Sequence, residues 1–424
     1  MNKNSVSSAT LIDSFKGVTD NTFIPPDTNG AIDQTYVVNA VNGKVQVNSR
    51  ATNDQLYSAT LNEFWSPTGM IQPGTVNAFD PKILYDASTN RFFMVSIAGS
   101  TAPNYLLLAA SEPGNPFTWT YHAIDASVTE ENGRGDLWAD YPNISFNTEF
   151  LYVTANMFIS GDGFDGVKVW VFNKSDLYDL ISSYVYFYNP DSIGFTTVPA
   201  QVYSEETTNQ YLVSADFPNA ISLYRIFFDS GEHFWKVLPS VRVDRFQDPP
   251  NASQKDSTQG IDTGDGRLLQ AVYRNRSIWT THAVASDDGR RAEAAWYQID
   301  PVSSTVIQQG RIRDGSRSFY YPSLAVNAEN HVVVGFSGSS PNEYASAFYT
   351  SRLGTDPAGF TQPVALMRQG QASYFKTYSG TRNRWGDYSA TMIDPADDSV
   401  FWTVQEYAVR ENTWETWWGV IRLS

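Results

Sequence analysis

The chain has 424 residues, of which 14% are aromatic and 17% charged, a composition that excludes a disordered protein. Its formal net charge of −16 argues against nucleic acid as a partner, because binding to a phosphate backbone needs a basic surface. It contains no cysteine, which excludes disulfide bonds, zinc–thiolate sites and thiol nucleophiles.

No hydrophobic run approaches the length of a membrane-spanning helix, so we expect no membrane span. The first fifteen residues lack the apolar core of a signal peptide. The absence of cysteine fits either a cytosolic protein or a secreted bacterial one that does not rely on disulfides. We expect a monomer.

An internal repeat with a period of about sixty residues organises the chain. Each copy is a polar loop ending in Asp, Tyr or Pro, then a short strand, a tight turn and a β-branched or aromatic strand. Clear copies are Asp80–Ile97, Asp140–Phe158, Tyr320–Gly338 and Arg382–Tyr407, and looser ones begin near Pro26 and Pro199. Repeats at this spacing predict a propeller or an array.

Taken in chain order, strand patterns bounded by Gly, Pro, Asn and Asp group into seven units of four strands, A to D. The first unit runs from Pro25 to Trp65. The A strands of the next six units are predicted near residues 82, 143, 200, 267, 322 and 389. Only one short segment, around Asp179, has helical character.

The seventh unit ends one strand short, and the missing strand is predicted at the N terminus. Residues 9–15, ATLIDSF, carry the required alternation, and about residues 9–17 would form the strand. Such pairing removes the open sheet edges of a linear array. The sequence therefore predicts an all-β, seven-bladed β-propeller of four-stranded blades in a single domain, residues 1–424, whose last blade is closed by the N-terminal strand.

In a propeller, the loops from strand D to the next strand A gather on one face around the central channel. Here these loops contain most of the unusual polar and aromatic residues, and Asp80, Asp140 and Asp387 recur at positions that we interpret as equivalent. The predicted functional face is lined by Asp27, Asp80, Asp136, Trp138, Asp140, Tyr141, Tyr320, Tyr321, Arg384, Trp385 and Asp387.

Two carboxyl groups held close together can cleave a glycosidic bond as acid and base, or as acid and nucleophile. Our candidate catalytic residues are Asp27, Asp136, Asp387 and Tyr320. Candidate substrate-binding residues are Arg384, Trp385, Trp138, Arg134, Tyr141 and Tyr321, which offer charge, stacking surfaces and hydroxyls. The structural alternative is that these acids cap backbone amides and that the arginines pair with acids across blade junctions.

The four histidines lie in predicted strands or beside turns, which argues against a Ser-His-Asp triad or a three-histidine zinc site. A ring of acids could instead hold Ca²⁺, which takes six to eight oxygen ligands. The loop Ser160–Gly166, SGDGFDG, has a suitable composition. Calcium is thus a possible cofactor, and no other is indicated.

Several phrases resemble a family of mostly uncharacterised secreted bacterial β-propellers that are often labelled sialidase-like. They are PPDTNGAI, FDPKILYD, LWADYPNISFN, YYPSLAVN and RWGDYSATMIDP, and together they span nearly the whole chain. The resemblance implies a secreted or cell-surface location and a glycan partner. The Asp-box turns of true sialidases are not cleanly present, so it does not name the sugar.

These observations leave three functional hypotheses. The leading one is a carbohydrate-active propeller that cleaves a glycan, by hydrolysis or elimination, at the channel mouth. The second is a non-catalytic propeller that binds a glycan or a protein through the same loops. The third is a structural adhesion module. The loops differ strongly between units, which favours one site over several equivalent ones.

Overall fold

The structure, a computed structural model, describes residues 9–20, 23–72, 74–127, 136–179, 183–188, 192–203, 209–378 and 380–423. Its strands form seven sheets that follow one another along the chain as blades 1 to 7. The first strands of neighbouring blades contact one another in order, and the first strand of blade 7 contacts that of blade 1. The sheets therefore close into a ring around a central channel, which confirms the predicted seven-bladed propeller.

The strand β1 (Ala9–Thr19) precedes the first blade. Blade 1 consists of β2 (Asn29–Ile32), β3 (Tyr36–Val41), β4 (Lys44–Ser49) and β5 (Gln55–Ala59). Blade 2 consists of β6 (Ala78–Asp86), β7 (Arg91–Ala98), β8 (Tyr105–Glu112) and β9 (Asn115–Asp125). Blade 3 consists of β10 (Leu137–Phe146), β11 (Phe150–Ile159), β12 (Phe164–Asn173) and β13 (Tyr184–Tyr188).

Blade 4 consists of β14 (Val198–Pro199), β16 (Asn209–Asp216), β17 (Ala220–Asp229) and β18 (Glu232–Arg242). Blade 5 consists of β19 (Gln270–Arg274), β20 (Ser277–Ala285), β21 (Ala292–Asp300) and β22 (Thr305–Ile312), joined by β15 (Gln201–Val202). Blade 6 consists of β23 (Ser318–Val326), β24 (Val332–Ser340), β25 (Glu343–Arg352) and β26 (Ala365–Arg368). Blade 7 consists of β27 (Ala390–Asp394), β28 (Asp397–Arg410) and β29 (Thr413–Leu423) together with β1.

The N-terminal strand closes the ring as predicted. β1 runs antiparallel to β29, from the pair Ala9 and Leu423 to the pair Thr19 and Glu415. The ring of Phe15 on β1 stacks against Trp418, with centroids 6.4 Å apart. The two ends of the described chain are thus joined by a ladder of backbone hydrogen bonds and an aromatic contact.

Blade 4 departs from the prediction at its innermost strand. The expected single strand near residue 200 is divided, and only Val198 and Pro199 pair with β16 of the same blade. Residues 201–202 pair instead, in parallel, with β19 of blade 5. This strand therefore links two blades directly at the channel wall.

Three short helices lie outside the strands in the described part of the chain, one of them a single 3-10 turn over Ser66–Thr68. The helix α1 (Leu61–Trp65) was not predicted, although the sequence contains its capping box. The Thr60 side chain accepts the Glu63 backbone N–H, and the Glu63 side chain accepts the Thr60 backbone N–H. The helical character expected near Asp179 corresponds to a 3-10 helix over Lys174–Tyr178.

The hydrophobic core lies between neighbouring blades. Phe93 and Leu108 of blade 2 share one buried cluster with Leu151 and Trp170 of blade 3. Other clusters join the remaining blades in the same way. Each blade thus buries its face against the next, which leaves the loop ends free to carry function.

Candidate functional site

A left-handed backbone conformation recurs where the innermost strands reach the channel mouth. Asp27, Asp80, Tyr141, Thr196 and Tyr321 have φ values between 49° and 56°. Positive φ is uncommon for residues other than glycine and clusters at functional sites. In blades 2, 3 and 6 the residue lies within a register shift between strands A and B. Such bulges change the direction of a side chain, so the same backbone irregularity shapes the mouth in several blades.

This register corrects one interpretation of the sequence. The left-handed residue is Asp80 in blade 2 and Tyr141 in blade 3, so Asp140 stands one position earlier in the repeat. In blade 7, Tyr388 stands two positions before the first residue of β27, as Asp27 does before β2 in blade 1. Asp80 is therefore not equivalent to the other two acids, whereas Asp140 and Asp387 are equivalent to each other.

Asp27 and Asp80 form a buried carboxyl pair whose side chains hydrogen-bond each other. Asp27 is 1% exposed and accepts hydrogen bonds from Asn42 Nδ2 at 2.6 Å and from the Asp387 backbone N–H at 2.8 Å. Burial, followed by the charge of Asp387, raises the pKa of Asp27 to about 8, and burial holds the pKa of Asp80 well above its usual range. The pair therefore shares at least one proton at neutral pH.

Asp387 is held in place by a cation. Both of its carboxylate oxygens accept hydrogen bonds from Arg384 Nη2 at 2.8 Å. Its backbone carbonyl accepts the Tyr141 hydroxyl at 3.0 Å, across the mouth from blade 3. Among the described residues, Nε of Arg384 is buried and has no hydrogen-bond partner.

A further buried acid supports the loop that carries Asp387. Glu406 accepts hydrogen bonds from the Thr28 hydroxyl at 2.8 Å and from the Gly386 backbone N–H at 3.1 Å. Burial raises the pKa of Glu406 to about 8. This acid joins blade 7 to blade 1 beneath the site.

Asp140 is half-buried and faces the same group of charges. Burial, followed by the charges of Asp80 and Asp387, raises the pKa of Asp140 to about 7, and Arg267 opposes the shift. Asp140 is thus more accessible than the Asp27–Asp80 pair and has a pKa near the working range of a general acid at neutral pH.

A pocket of about 150 Å³ opens beside these acids. Its lining residues are Tyr141, Thr263, Gly264, Asp265, Arg267, Leu269, Tyr321, Arg382 and Asp387. Arg267 binds both oxygens of Asp265, at 2.7 and 2.6 Å, and its guanidinium lies 4.5 Å from the Tyr141 ring centroid. Arg382 pairs with Asp262, and its side chain remains 59% exposed.

Lys82 adds a buried cation below the mouth. Its ammonium lies 3.4 Å from the ring centroid of Tyr388. Burial lowers the pKa of Lys82 to about 7, although the charges of Asp80 and Asp27 partly offset this shift. The mouth therefore combines carboxyl groups that are partly protonated at neutral pH with a lysine whose pKa is also near 7.

The structure brings together five of the sequence-predicted site residues. Asp27, Asp387, Arg384, Tyr141 and Tyr321 come from blades 1, 3, 6 and 7 and lie around one mouth. Asp136 is exposed one residue before β10, where its backbone carbonyl accepts the Ser160 N–H at 3.1 Å. Arg134 lies outside the described residues.

Two predicted site residues are packing residues. Trp385 is 1% exposed, and its ring is packed between Tyr374 and Tyr320. Its Nε1 donates to Ser337 Oγ at 3.1 Å, and the fully buried Tyr320 donates its hydroxyl to Ser339 Oγ at 3.2 Å. A buried ring offers no face to a sugar, so the predictions of stacking by Trp385 and catalysis by Tyr320 do not fit their positions. Trp138, by contrast, is half-buried at the face.

Four charged residues of the site were missed or misread in the sequence. Lys82 and Arg267 fall in predicted strands, Asp265 belongs to no predicted site, and Asp140 is on the predicted functional face but not among the candidate catalytic residues. A signal for Arg267 was present: the polar segment 244–266 interrupts the repeat and ends in Gly264-Asp265-Gly266. A signal for the position of Asp140 was also present: Asp80, Tyr141 and Tyr321 each precede a proline, so Asp140 stands one position earlier in the repeat than Asp80.

Within the described ranges, no group of three or more His, Cys, Asp or Glu side chains could hold a metal ion. In the loop considered for calcium, Asp162 accepts the Gly163 N–H at 2.8 Å and Asp165 accepts the Tyr188 hydroxyl. Both acidic side chains of that loop thus accept hydrogen bonds from groups of the chain itself. In the same part of the chain, no helix is both long and apolar enough to cross a membrane.

No family model matches the sequence, and no curated protein matches it. Solved structures do match. A protein of unknown function from Dyadobacter fermentans is 10% identical with a TM-score of 0.48, over 99% of this chain and 100% of that one. An exo-β-1,3-galactanase from Clostridium thermocellum is 12% identical with a TM-score of 0.39, over 85% and 82% of the two chains.

A Trypanosoma rangeli sialidase in complex with sialic acid is 10% identical with a TM-score of 0.40, over 97% of this chain and 59% of that one. Other matches include WD40 propellers. The matches thus include both glycosidases and WD40 propellers, and at these identities none of them assigns a function to this chain.

Proposed function

We propose that this chain is a secreted or cell-surface propeller that hydrolyses an anionic glycan at the charged channel mouth. The observation that carries the proposal is the arrangement of Asp140 and Asp387. They stand at equivalent positions of blades 3 and 7. Asp387 lines the pocket, and Asp140 interacts electrostatically with Asp387 and with Arg267 of the pocket wall. Asp140 has a pKa raised to about 7, whereas Asp387 is ion-paired with Arg384.

This difference assigns a role to each carboxyl group. Asp140, protonated below pH 7, donates its proton to the glycosidic oxygen as the C–O bond to the leaving sugar breaks. Asp387 takes a proton from the water that forms the new C–O bond at the anomeric carbon. The reaction consumes one water and returns both carboxyl groups to their starting states after proton exchange with solvent.

Hydrolysis fits the site better than elimination. Elimination needs a base for a carbon-bound proton, which a tyrosinate or a lysine would supply. Burial holds the pKa of Tyr141 and Tyr321 well above the usual range of tyrosine, and Lys82 is buried beneath the Tyr388 ring. The more accessible groups are carboxyls.

The arginines around the pocket favour an anionic substrate. Arg382 presents a 59% exposed side chain beside the pocket, and Arg267 lines the pocket wall. Guanidinium groups bind carboxylate and sulfate groups through paired N–H donors. Glycans that carry uronate or sulfate groups are therefore the expected substrate class.

A second candidate is a non-catalytic glycan-binding propeller. The observation in its favour is that the Asp27–Asp80 pair is buried and links blades 1 and 2, as a structural element would. The pocket of about 150 Å³ is also small for a catalytic cleft. Under this hypothesis the same loops bind a glycan without cleaving it.

The test is to incubate the purified protein with polygalacturonate, alginate, chondroitin sulfate and a neutral β-glucan. New reducing ends report cleavage of any kind, and ultraviolet absorbance of an unsaturated sugar reports elimination. We expect reducing ends without unsaturation on an acidic polymer, and their loss in Asp140→Asn and Asp387→Asn. Asp229→Asn, which changes an exposed acid at the β17–β18 turn, is the matched control.

Binding of a polymer without product would favour the second candidate. Unsaturated products would show that the protein cleaves by elimination and not by hydrolysis. Full activity in both Asp140→Asn and Asp387→Asn would contradict the proposed site.

A further inference from the structure

Three aromatic side chains form a row at one level of blade 3, on the same face as the charged mouth. Trp138 on β10 is paired with Phe158 on β11, which is paired in turn with Phe164 on β12. The Trp138 and Phe158 rings stack with centroids 5.1 Å apart, and Phe158 meets Phe164 edge-on at 5.9 Å. The row therefore crosses three strands of one blade.

The row continues to the pocket through blade 4. Phe164 contacts Phe195, which lies before β14, with ring centroids 4.9 Å apart. The Arg267 guanidinium lies 4.8 Å from the Phe195 ring centroid and 4.5 Å from that of Tyr141. Because Arg267 also lines the pocket, the aromatic row and the pocket form one continuous surface.

Solvent reaches this row. Phe164 is 40% exposed, and Trp138, Phe158 and Phe195 are half-buried. Farther down the same blade, Trp170 is completely buried between blades, as an aromatic residue of the core should be. Aromatic surface left open beside a polar pocket is typical of a ligand-binding surface.

Strand geometry places the row close to the proposed general acid. Trp138 and Asp140 are two residues apart on β10, before its register shift, so their side chains leave the same face of the strand. At about 3.3 Å per residue they are roughly 7 Å apart along the strand. A ligand bound on the row would thus begin next to the acid at Asp140.

We propose that this aromatic row, formed by Trp138, Phe158, Phe164 and Phe195, is a stacking surface for the sugar rings of an acidic polysaccharide. The inference rests on the proposed function, because it extends the chain of sugars outward from the pocket. The apolar C–H faces of pyranose rings match aromatic faces, while the hydroxyl edges stay in water. The substrate is then a polymer held over several units rather than a single terminal sugar.

Continuity with the pocket and the charge beside it decide the occupant. A glycan carrying acidic groups can place one unit against Arg267 and Arg382 and the next units on the rings. The surface is only as wide as one row of rings, which suits an extended polymer chain rather than a globular partner.

The test compares binding of polygalacturonate, alginate and chondroitin sulfate with binding of their disaccharides, by affinity electrophoresis and calorimetry. The variants are Trp138→Ala and Phe164→Ala. Phe117→Ala is the matched control, because Phe117 is 44% exposed on β9 of another blade. We expect about tenfold weaker polymer binding in the first two, as for loss of one aromatic contact, with unchanged melting temperatures. Disaccharide binding should stay at the wild-type level.

Wild-type polymer affinity in both Trp138→Ala and Phe164→Ala would overturn the inference, as would an equal loss in Phe117→Ala. Failure of the wild-type protein to bind any of these polymers would overturn it too. The proposed hydrolysis can be contradicted independently of this inference. If the polymer binds through the row but no product forms, the hydrolysis is contradicted and the stacking surface is supported. If cleavage depends on Asp387 but not on the row, only the stacking surface is contradicted.

Discussion

The central channel has two contrasting parts. At the mouth, neighbouring blades are joined through carboxyl groups, as when Asp387 donates its N–H to Asp27. Inside, a cavity of about 690 Å³ has an aliphatic section with side chains such as Ile83 and Met392, beside polar and charged lining residues such as Gln270 and Asp394. In that section a backbone-to-amide bond joins two blades, since the Ile83 N–H bonds to Asn29 Oδ1 at 2.9 Å, whereas matched ion pairs such as Lys174 with Asp86 join blades elsewhere along the cavity.

The difference shows how one ring of strands serves two purposes. The aliphatic section buries apolar surface and stabilises the ring. The mouth concentrates like charges and left-handed residues, both of which cost free energy. The packing of the blades below offsets this free-energy cost, as expected where a rigid scaffold holds a reactive site.

The largest expected effect is on turnover at the mouth. Asp387→Asn removes the proposed base, and loss of general acid–base catalysis lowers the rate by about 10²–10⁴-fold. The melting temperature should change little, since the amide keeps the size of the carboxylate. Turnover of the polymer found by the substrate screen measures this effect, and a rate within threefold of wild type would remove Asp387 from the mechanism.

The next effect belongs to the aliphatic section. Ile83→Ala should lower the free energy of unfolding by about 2–5 kcal/mol, because it leaves a cavity at a fully buried position. This loss should be the same at pH 5.5 and pH 7 in denaturant titrations, because the deleted atoms are apolar and carry no charge. A loss that depends on pH would show that the two sections are coupled.

A smaller effect is expected from Arg384→Lys. Arg384 reaches both Asp387 oxygens through Nη2, and the shorter lysine side chain would hold its ammonium away from that position, so the substitution is not conservative. We expect a loss of about 1.5–3 kcal/mol, or roughly ten- to a hundredfold in kcat/KM. Equal kcat/KM in the two proteins would mean that Arg384 does not position Asp387.

The smallest effect is the pH dependence of stability. The pKa of Asp27 rises from 3.8 to about 8 on folding, so between these values the folded state binds more protons and stability falls as pH rises. Lys82, with its pKa lowered to about 7, has the opposite effect only above pH 7. Between pH 5.5 and 7 the wild-type protein should therefore gain stability on acidification.

Asp27→Asn should reduce that slope by up to about 1.4 kcal/mol per pH unit. Denaturant titrations at several pH values measure it. An unchanged slope would show that Asp27 is ionised in the folded protein, contrary to its burial.

The fold could be predicted because its information is local. Alternating strands and polar turns repeat along the chain, and the free alternation at residues 9–15 identified the closing strand. Convergence of the D-to-A loops then followed from propeller geometry, which is why Asp27 and Asp387 were placed together from opposite ends of the chain.

The site was predicted only in part because burial in a loop is decided by distant residues. Trp385 resembles an exposed loop aromatic until Tyr320 and Tyr374 cover it. The roles of Asp140 and Asp80 depend on a one-residue offset that the backbone dihedral angles show and that alignment of the repeats on Pro81 and Pro142 also gives. The burial of Trp385, by contrast, arises from tertiary packing, which no local pattern encodes.

The pH profile of kcat/KM on an acidic polysaccharide tests the central assignment most directly. If Asp140 is the general acid, the wild-type rate should fall as pH rises through about 7, where the carboxyl loses its proton. Asp140→Asn should lose both most of the activity and this descending limb. A limb that persists near pH 7 in Asp140→Asn, or a wild-type rate that is flat from pH 6 to 8, would contradict the account.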